Sequence, residues 1–154
     1  MAYIGVVGAG DADAAQEGRA HAVGRELAAA GAVVVCGGLG GVMAAACRGA
    51  RESGGLTVGL LPGSDRSAGN AWLTVAVPTG MGELRNGLVV RASDGLVAVG
   101  GGFGTLSEIA LALKLGRPVV GVGTWDIAAP VVRIDDPTAA AARILELVAE
   151  PSQN

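Results

Sequence analysis

The chain has 154 residues, 51% of them hydrophobic and 16% charged, a balance that excludes a disordered chain and allows a core to form without disulfides or metals. A formal net charge of −3 supplies no basic stripe for gripping a nucleic-acid backbone, so no nucleic-acid partner is expected. No basic region precedes the first apolar run and no apolar stretch reaches the length of a bilayer span, so the expectation is a soluble, cytoplasmic protein without a membrane partner.

Short β-branched apolar runs alternate with longer alanine-rich stretches of helical period, the pattern of repeated βαβ units. The expected fold is therefore α/β, a Rossmann-like three-layer αβα domain with a mostly parallel sheet, covering residues 1–150 and followed by a C-terminal tail at 151–154. A first strand is expected over Tyr3 to Val7, then a helix from about Asp11, read as its N-cap, to Ala30, with Gly31 closing it. Val33 to Cys36 form the second strand, and Gly37 to Gly41 open a second helix that runs to about Glu52 and stops at Gly54-Gly55. Thr57 to Leu61 make the third strand, Pro62 to Asn70 a polar loop, and Leu73 to Val77 a further short strand. Pro78 to Gly82 lead into a helix over about Glu83 to Ala92, Gly95 to Val99 form the next strand, and Gly100 to Gly104 turn into a helix ending near Leu115. Pro118 to Val122 is another strand, Val131 to Ile134 an edge strand, and Thr138 to Ala149 a closing amphipathic helix. The segment around Trp125 fits no element.

The 27 glycines cluster at the ends of apolar runs, which marks them as tight turns rather than linker. Gly100-Gly101-Gly102-Phe103-Gly104-Thr105 lies between a buried strand and a helix. In a parallel sheet that turn falls at the carboxyl ends of the strands, where free backbone N–H groups, the Thr105 hydroxyl and the positive end of the helix dipole favour an anion. The plainer alternative is a Thr105-x-x-Glu108 capping box with glycines serving only the turn. Gly37 to Met43 form a second turn of this kind, read either as part of the same cleft or as close packing of the second helix on the sheet. The first turn, Gly8-Ala9-Gly10-Asp11-Ala12-Asp13, has Asp13 where a dinucleotide fingerprint needs its third glycine, and no Gly-Lys-Ser or Gly-Lys-Thr follows any glycine turn. The glycine loop Thr79 to Gly82 delivers Arg85 and Asn86 near the start of a helix, where the arginine fork suits a phosphate or carboxylate, the plainer alternative being a solvated helix arginine. His21 reads as a surface residue, and Cys36 and Cys47 as buried small hydrophobes without metal-ligand spacing, so no metal site is expected.

At Gly101 to Glu108, together with Arg85 and Gly37 to Met43, the sequence resembles the Rossmann-like superfamily that contains the Lonely Guy cytokinin-activating phosphoribohydrolases, once mistaken for lysine decarboxylases. The resemblance runs from Ile4 to about Val122. Gly100 and Asn86 stand where those enzymes carry proline and lysine, and with Leu60-Leu61-Pro62-Gly63 they bring the chain closer to the branch containing the molybdenum cofactor carrier protein. The resemblance implies hydrolysis of the N-glycosidic bond of a nucleoside 5′-monophosphate, with Arg85 and Glu108 as the catalytic pair, Glu108 stabilising an oxocarbenium-like transition state. Its alternative implication is a carrier or sensor that holds a phosphorylated ligand without turning it over. Gly8, Gly38, Gly40, Gly41, Met43, Asn86, Gly101, Gly102, Phe103, Gly104 and Thr105 are the expected ligand-binding residues. No cofactor is required for either role, a bound nucleotide or molybdenum cofactor is the implied ligand, and a homodimer or larger homo-oligomer is the implied assembly.

Overall fold

The computed structural model describes residues 1–151. Its elements are β1 (Tyr3–Gly8), α1 (Ala14–Ala29), β2 (Val33–Cys36), α2 (Val42–Glu52), β3 (Thr57–Leu61), β4 (Val75–Pro78), α3 (Arg85–Arg91), β5 (Gly95–Val99), α4 (Phe103–Lys114), β6 (Val119–Val122), β7 (Val132–Arg133) and α5 (Pro137–Ala149). The strands join in one seven-stranded sheet of order β4-β3-β2-β1-β5-β6-β7. Every pairing in it is parallel, so the expected α/β Rossmann-like architecture stands. Valine-rich strands such as Val33–Cys36 are buried along their whole length because helices cover both faces.

Alternation along the strands divides the core in two. Ile4, Val6, Val34, Val97 and Val99 pack with Ala20, Val23 and Leu27 of α1, Val42 and Ala46 of α2, and Ile144 of α5. Val7, Val35, Leu96 and Ala98 face the other way, onto Val89 and Val90 of α3 and Ile109 and Ala112 of α4. Helices α1 and α2 cross in near backbone contact: a Cβ on Gly24 would run into the Ala46 carbonyl, and one on Gly49 into the His21 carbonyl. His21 bridges the same pair of helices from the outside, 2.6 Å from a Glu52 carboxylate oxygen.

Several boundaries differ from expectation for local reasons. The first helix begins at Ala14, because Asp13, not Asp11, is its N-cap: Asp13 accepts from the Gln16 N–H at 2.8 Å while the Gln16 side chain accepts from the Asp13 N–H at 3.2 Å. The fourth strand starts at Val75 rather than Leu73, since Asn70 and Thr57 hold 72–74 in a side-chain-bonded turn. The helix expected from Glu83 begins as a 3₁₀ turn over Gly82–Leu84 and becomes α-helical only at Arg85. Of the expected tail, 152–154 lie outside the described residues. No helix among the described residues is long and apolar enough to cross a membrane.

Candidate functional site

Strands run outward from β1 toward β4 in one direction and from β5 toward β7 in the other, so the order reverses between β1 and β5. In open parallel sheets the crevice at the carboxyl ends of such a pair is where ligands sit. Here a cavity of about 440 Å³ opens there, lined by Gly8 at the end of β1, Gly10 and Asp11 after it, Gly37, Leu39 and Met43 around the β2–α2 turn, Arg85 and Asn86 of α3, and Gly102, Gly104, Thr105 and Glu108 at the start of α4. A hollow of about 890 Å³ at the amino ends of β5 and β6, between Asp94, Arg117 and Pro118, is larger but among the described residues has no glycine turn opening a helix toward it.

The capping-box alternative for Thr105 and Glu108 is not what forms. Gly102 is the N-cap of α4, no side chain among the described residues caps the helix, and its first main-chain bond runs from the Leu106 N–H to the Gly102 carbonyl at 3.1 Å. The amides at 103 to 105 therefore stand ahead of the bonded ladder, at the positive end of the helix dipole. Gly101 must be glycine, with φ at +103° and the Thr105 side chain where a Cβ would lie. At Gly102, on the cavity wall, a Cβ would meet nothing within 4 Å, so neither packing nor backbone conformation accounts for the missing side chain.

Glu108 is 9% exposed, and burial pushes its carboxyl up from 4.5 to about 7 against the opposing pull of Arg85. The Arg85 guanidinium lies against Gly37, whose Cβ would fall 2.9 Å from its Cζ. One guanidinium nitrogen donates to the Asn86 side-chain oxygen, while the buried Nε has no hydrogen-bond partner among the described residues. The site thus holds one fixed positive charge with a spare donor, one carboxyl poised near neutrality, and a row of uncapped amides. That combination suits an oxyanion ligand.

Of the expected residues, Gly8, Met43, Arg85, Asn86, Gly102, Gly104, Thr105 and Glu108 meet at this cavity. Gly38, Gly40, Gly41, Gly101 and Phe103 do not line it. Gly38 packs on Leu61 and Gly41 on the Ala9 carbonyl, while Phe103 is 82% exposed and leans on Trp125 with ring centroids 5.6 Å apart. Gly10, Asp11, Gly37 and Leu39 were missed as lining residues. The neighbour relation of β1 and β5 could have found the first two, because a first turn at the switch point borders the crevice even when its dinucleotide fingerprint is broken. Trp125, left unplaced from sequence, donates from Nε1 to the Gly102 carbonyl at 2.9 Å and so pins the N-cap of α4 from outside.

A model described as the SLOG cluster4 family matches residues 1–149. An uncharacterized protein of Archaeoglobus fulgidus is 45% identical over 119 residues, covering 77% of this chain and 78% of that one. Among solved structures, the molybdenum cofactor binding protein of Rippkaea orientalis superposes with a TM-score of 0.89 at 32% identity, over 97% of this chain and 98% of that chain. The molybdenum cofactor carrier protein of Chlamydomonas reinhardtii superposes with a TM-score of 0.85 at 35% identity, over 97% and 99%.

Proposed function

The chain belongs to the SLOG cluster4 family, and from that premise we propose that it is a carrier that holds a phosphorylated heterocyclic ligand, with the molybdenum cofactor as first candidate, and hands it on unchanged. The observation that carries this reading is the uncapped start of α4 beside the spare Nε donor of Arg85. The phosphate takes the amides at 103 to 105 and one edge of the guanidinium, and Asn86 holds that guanidinium in place. The likeness to the Rippkaea and Chlamydomonas proteins supports the cofactor as cargo.

The likeness to those two proteins favours carriage over hydrolysis of a nucleoside monophosphate. A buried carboxyl raised to about 7 serves a held ligand as a hydrogen-bond donor and a reacting one as an acid or base. As an acid, Glu108 donates a hydrogen bond to the bound ligand and adds no repulsion against its phosphate. Equilibrium binding of molybdenum cofactor released from a donor enzyme, compared with adenosine monophosphate and inorganic phosphate, tests the reading. Retention of intact cofactor that can then reconstitute a cofactor-free molybdenum enzyme is expected, with no base released from adenosine monophosphate. Base release that disappears in Glu108→Gln overturns the carrier reading in favour of the hydrolase.

A further inference from the structure

The wall of the cavity behind Met43 holds all of the chain's buried sulfur. Cys36 at the end of β2 and Cys47 on α2 are both free and buried, with their sulfurs 3.4 Å apart. Met43, one turn before Cys47 on the same helix, completes a cluster with them. It is 8% exposed, whereas Met1 and Met81 are 85% and 44% exposed. Packing alone requires small apolar residues at these positions and does not require three sulfurs. We infer that Cys36, Cys47 and Met43 form a binding site for a soft monovalent ion of the Cu(I) type, separate from the phosphate site and reached from the cavity past the Met43 thioether.

Thiolate and thioether donors select Cu(I) over the harder divalent ions, and among the described residues no third His, Cys, Asp or Glu joins the group to favour zinc. Metal–sulfur bonds of about 2.3 Å set three sulfurs around one ion roughly 4 Å apart. The Cys36–Cys47 contact of 3.4 Å therefore has to open by only about half an ångström, and the unbranched Met43 side chain can follow it. Binding replaces two S–H protons by one Cu⁺, so two protons leave and the site gains a net charge of −1. Two features meet that charge. The Gly38 N–H donates to the Cys36 sulfur at 3.3 Å, as outer donors do at metal thiolates, and the Arg85 guanidinium lies against Gly37, the next residue after Cys36.

The test uses the whole reduced protein under anaerobic conditions, titrated with Cu(I) alone against a colorimetric Cu(I) chelator, followed by X-ray absorption at the copper edge. One ion retained per chain is expected, with two protons released per ion and a shell of two or three sulfurs without nitrogen or oxygen. Cys36→Ser and Cys47→Ser should each weaken retention at least about a hundredfold and Met43→Leu roughly tenfold, a lost ligand costing no less than a lost outer-shell partner. Loss of all copper to the chelator by the wild type, or a shell of nitrogen and oxygen, overturns the site. Equal retention by the Cys36→Ser/Cys47→Ser double variant does the same. The wild-type measurements decide the matter even where a variant fails to fold, and they are independent of which phosphorylated ligand the protein carries.

Discussion

The β2–α2 and β5–α4 turns look alike in the sequence, each a glycine run between a buried strand and a helix, yet they do different work. In the β2–α2 turn the leading amide of the helix is already satisfied: the Val42 N–H donates to the Ala9 carbonyl at 3.1 Å. Gly41 has φ at +63° and sits on that same carbonyl. In the β5–α4 turn the leading amides have no such partner among the described residues, and a Cβ on Gly102 would meet nothing within 4 Å. Similar composition therefore hides a division between a glycine that lets two backbones touch and a glycine that leaves room for something else. Whether a Cβ would meet protein or nothing is what separates them.

The largest expected effect breaks this contrast if it is wrong. Gly41→Ala should cost about 3 kcal/mol or more of stability, combining a left-handed backbone with overlap on the Ala9 carbonyl. Gly102→Ala should change stability by less than about 1 kcal/mol while weakening phosphate-monoester binding roughly tenfold, about 1.4 kcal/mol. Denaturant unfolding of both variants, with ligand titration of the second, reads the two halves. Equal destabilisation by the two substitutions would erase the distinction.

Next in size is the pH dependence set by Glu108. Its carboxyl is raised from 4.5 to about 7 in the folded chain, so the folded state binds the proton more tightly than the unfolded one. The stability this confers is complete below about pH 4.5 and is lost as pH rises through 7, a change of about 3 kcal/mol at most. Unfolding free energies of wild type and Glu108→Gln at pH 5 and pH 8 check it. The wild type should lose stability across that interval and the variant should lose much less. A slope that survives in the variant assigns the titration to another group.

The smallest effect concerns the support of the β5–α4 turn. Trp125→Phe keeps an aromatic ring against Phe103 but removes the donor to the Gly102 carbonyl, a loss of about 1 kcal/mol. An unchanged thermal midpoint would mean that the bond does not hold the turn in solution.

The comparison also explains what could be read from the chain beforehand. Hydrophobic runs such as Val33–Cys36 and Leu96–Val99 point to a covered parallel sheet because they are short, rich in β-branched residues and bounded by glycine. Arg85, Glu108 and Gly102 could be placed beside the cavity they line through the turn they flank and the family they resemble. Gly38 and Gly41 do not line the cavity, and a sequence does not distinguish a glycine pressed on Leu61 or Ala9 from one on a cavity wall. Asp13 took the cap from Asp11 because Gln16 returns its bond, and Trp125 stayed unplaced because its partner is a carbonyl 23 residues away.

The crossing of α1 and α2 at Gly24 and Gly49 carries one more consequence. Two helices in backbone contact have no compressible side-chain layer between them, so they behave as a single stiff plate. The β1–α1 and β2–α2 turns that rise from that plate form a fixed jaw of the cavity. With the N-terminus of α4 also held, by Trp125, the side left to adjust to a ligand is α3, seven residues long, which carries Arg85 and Asn86.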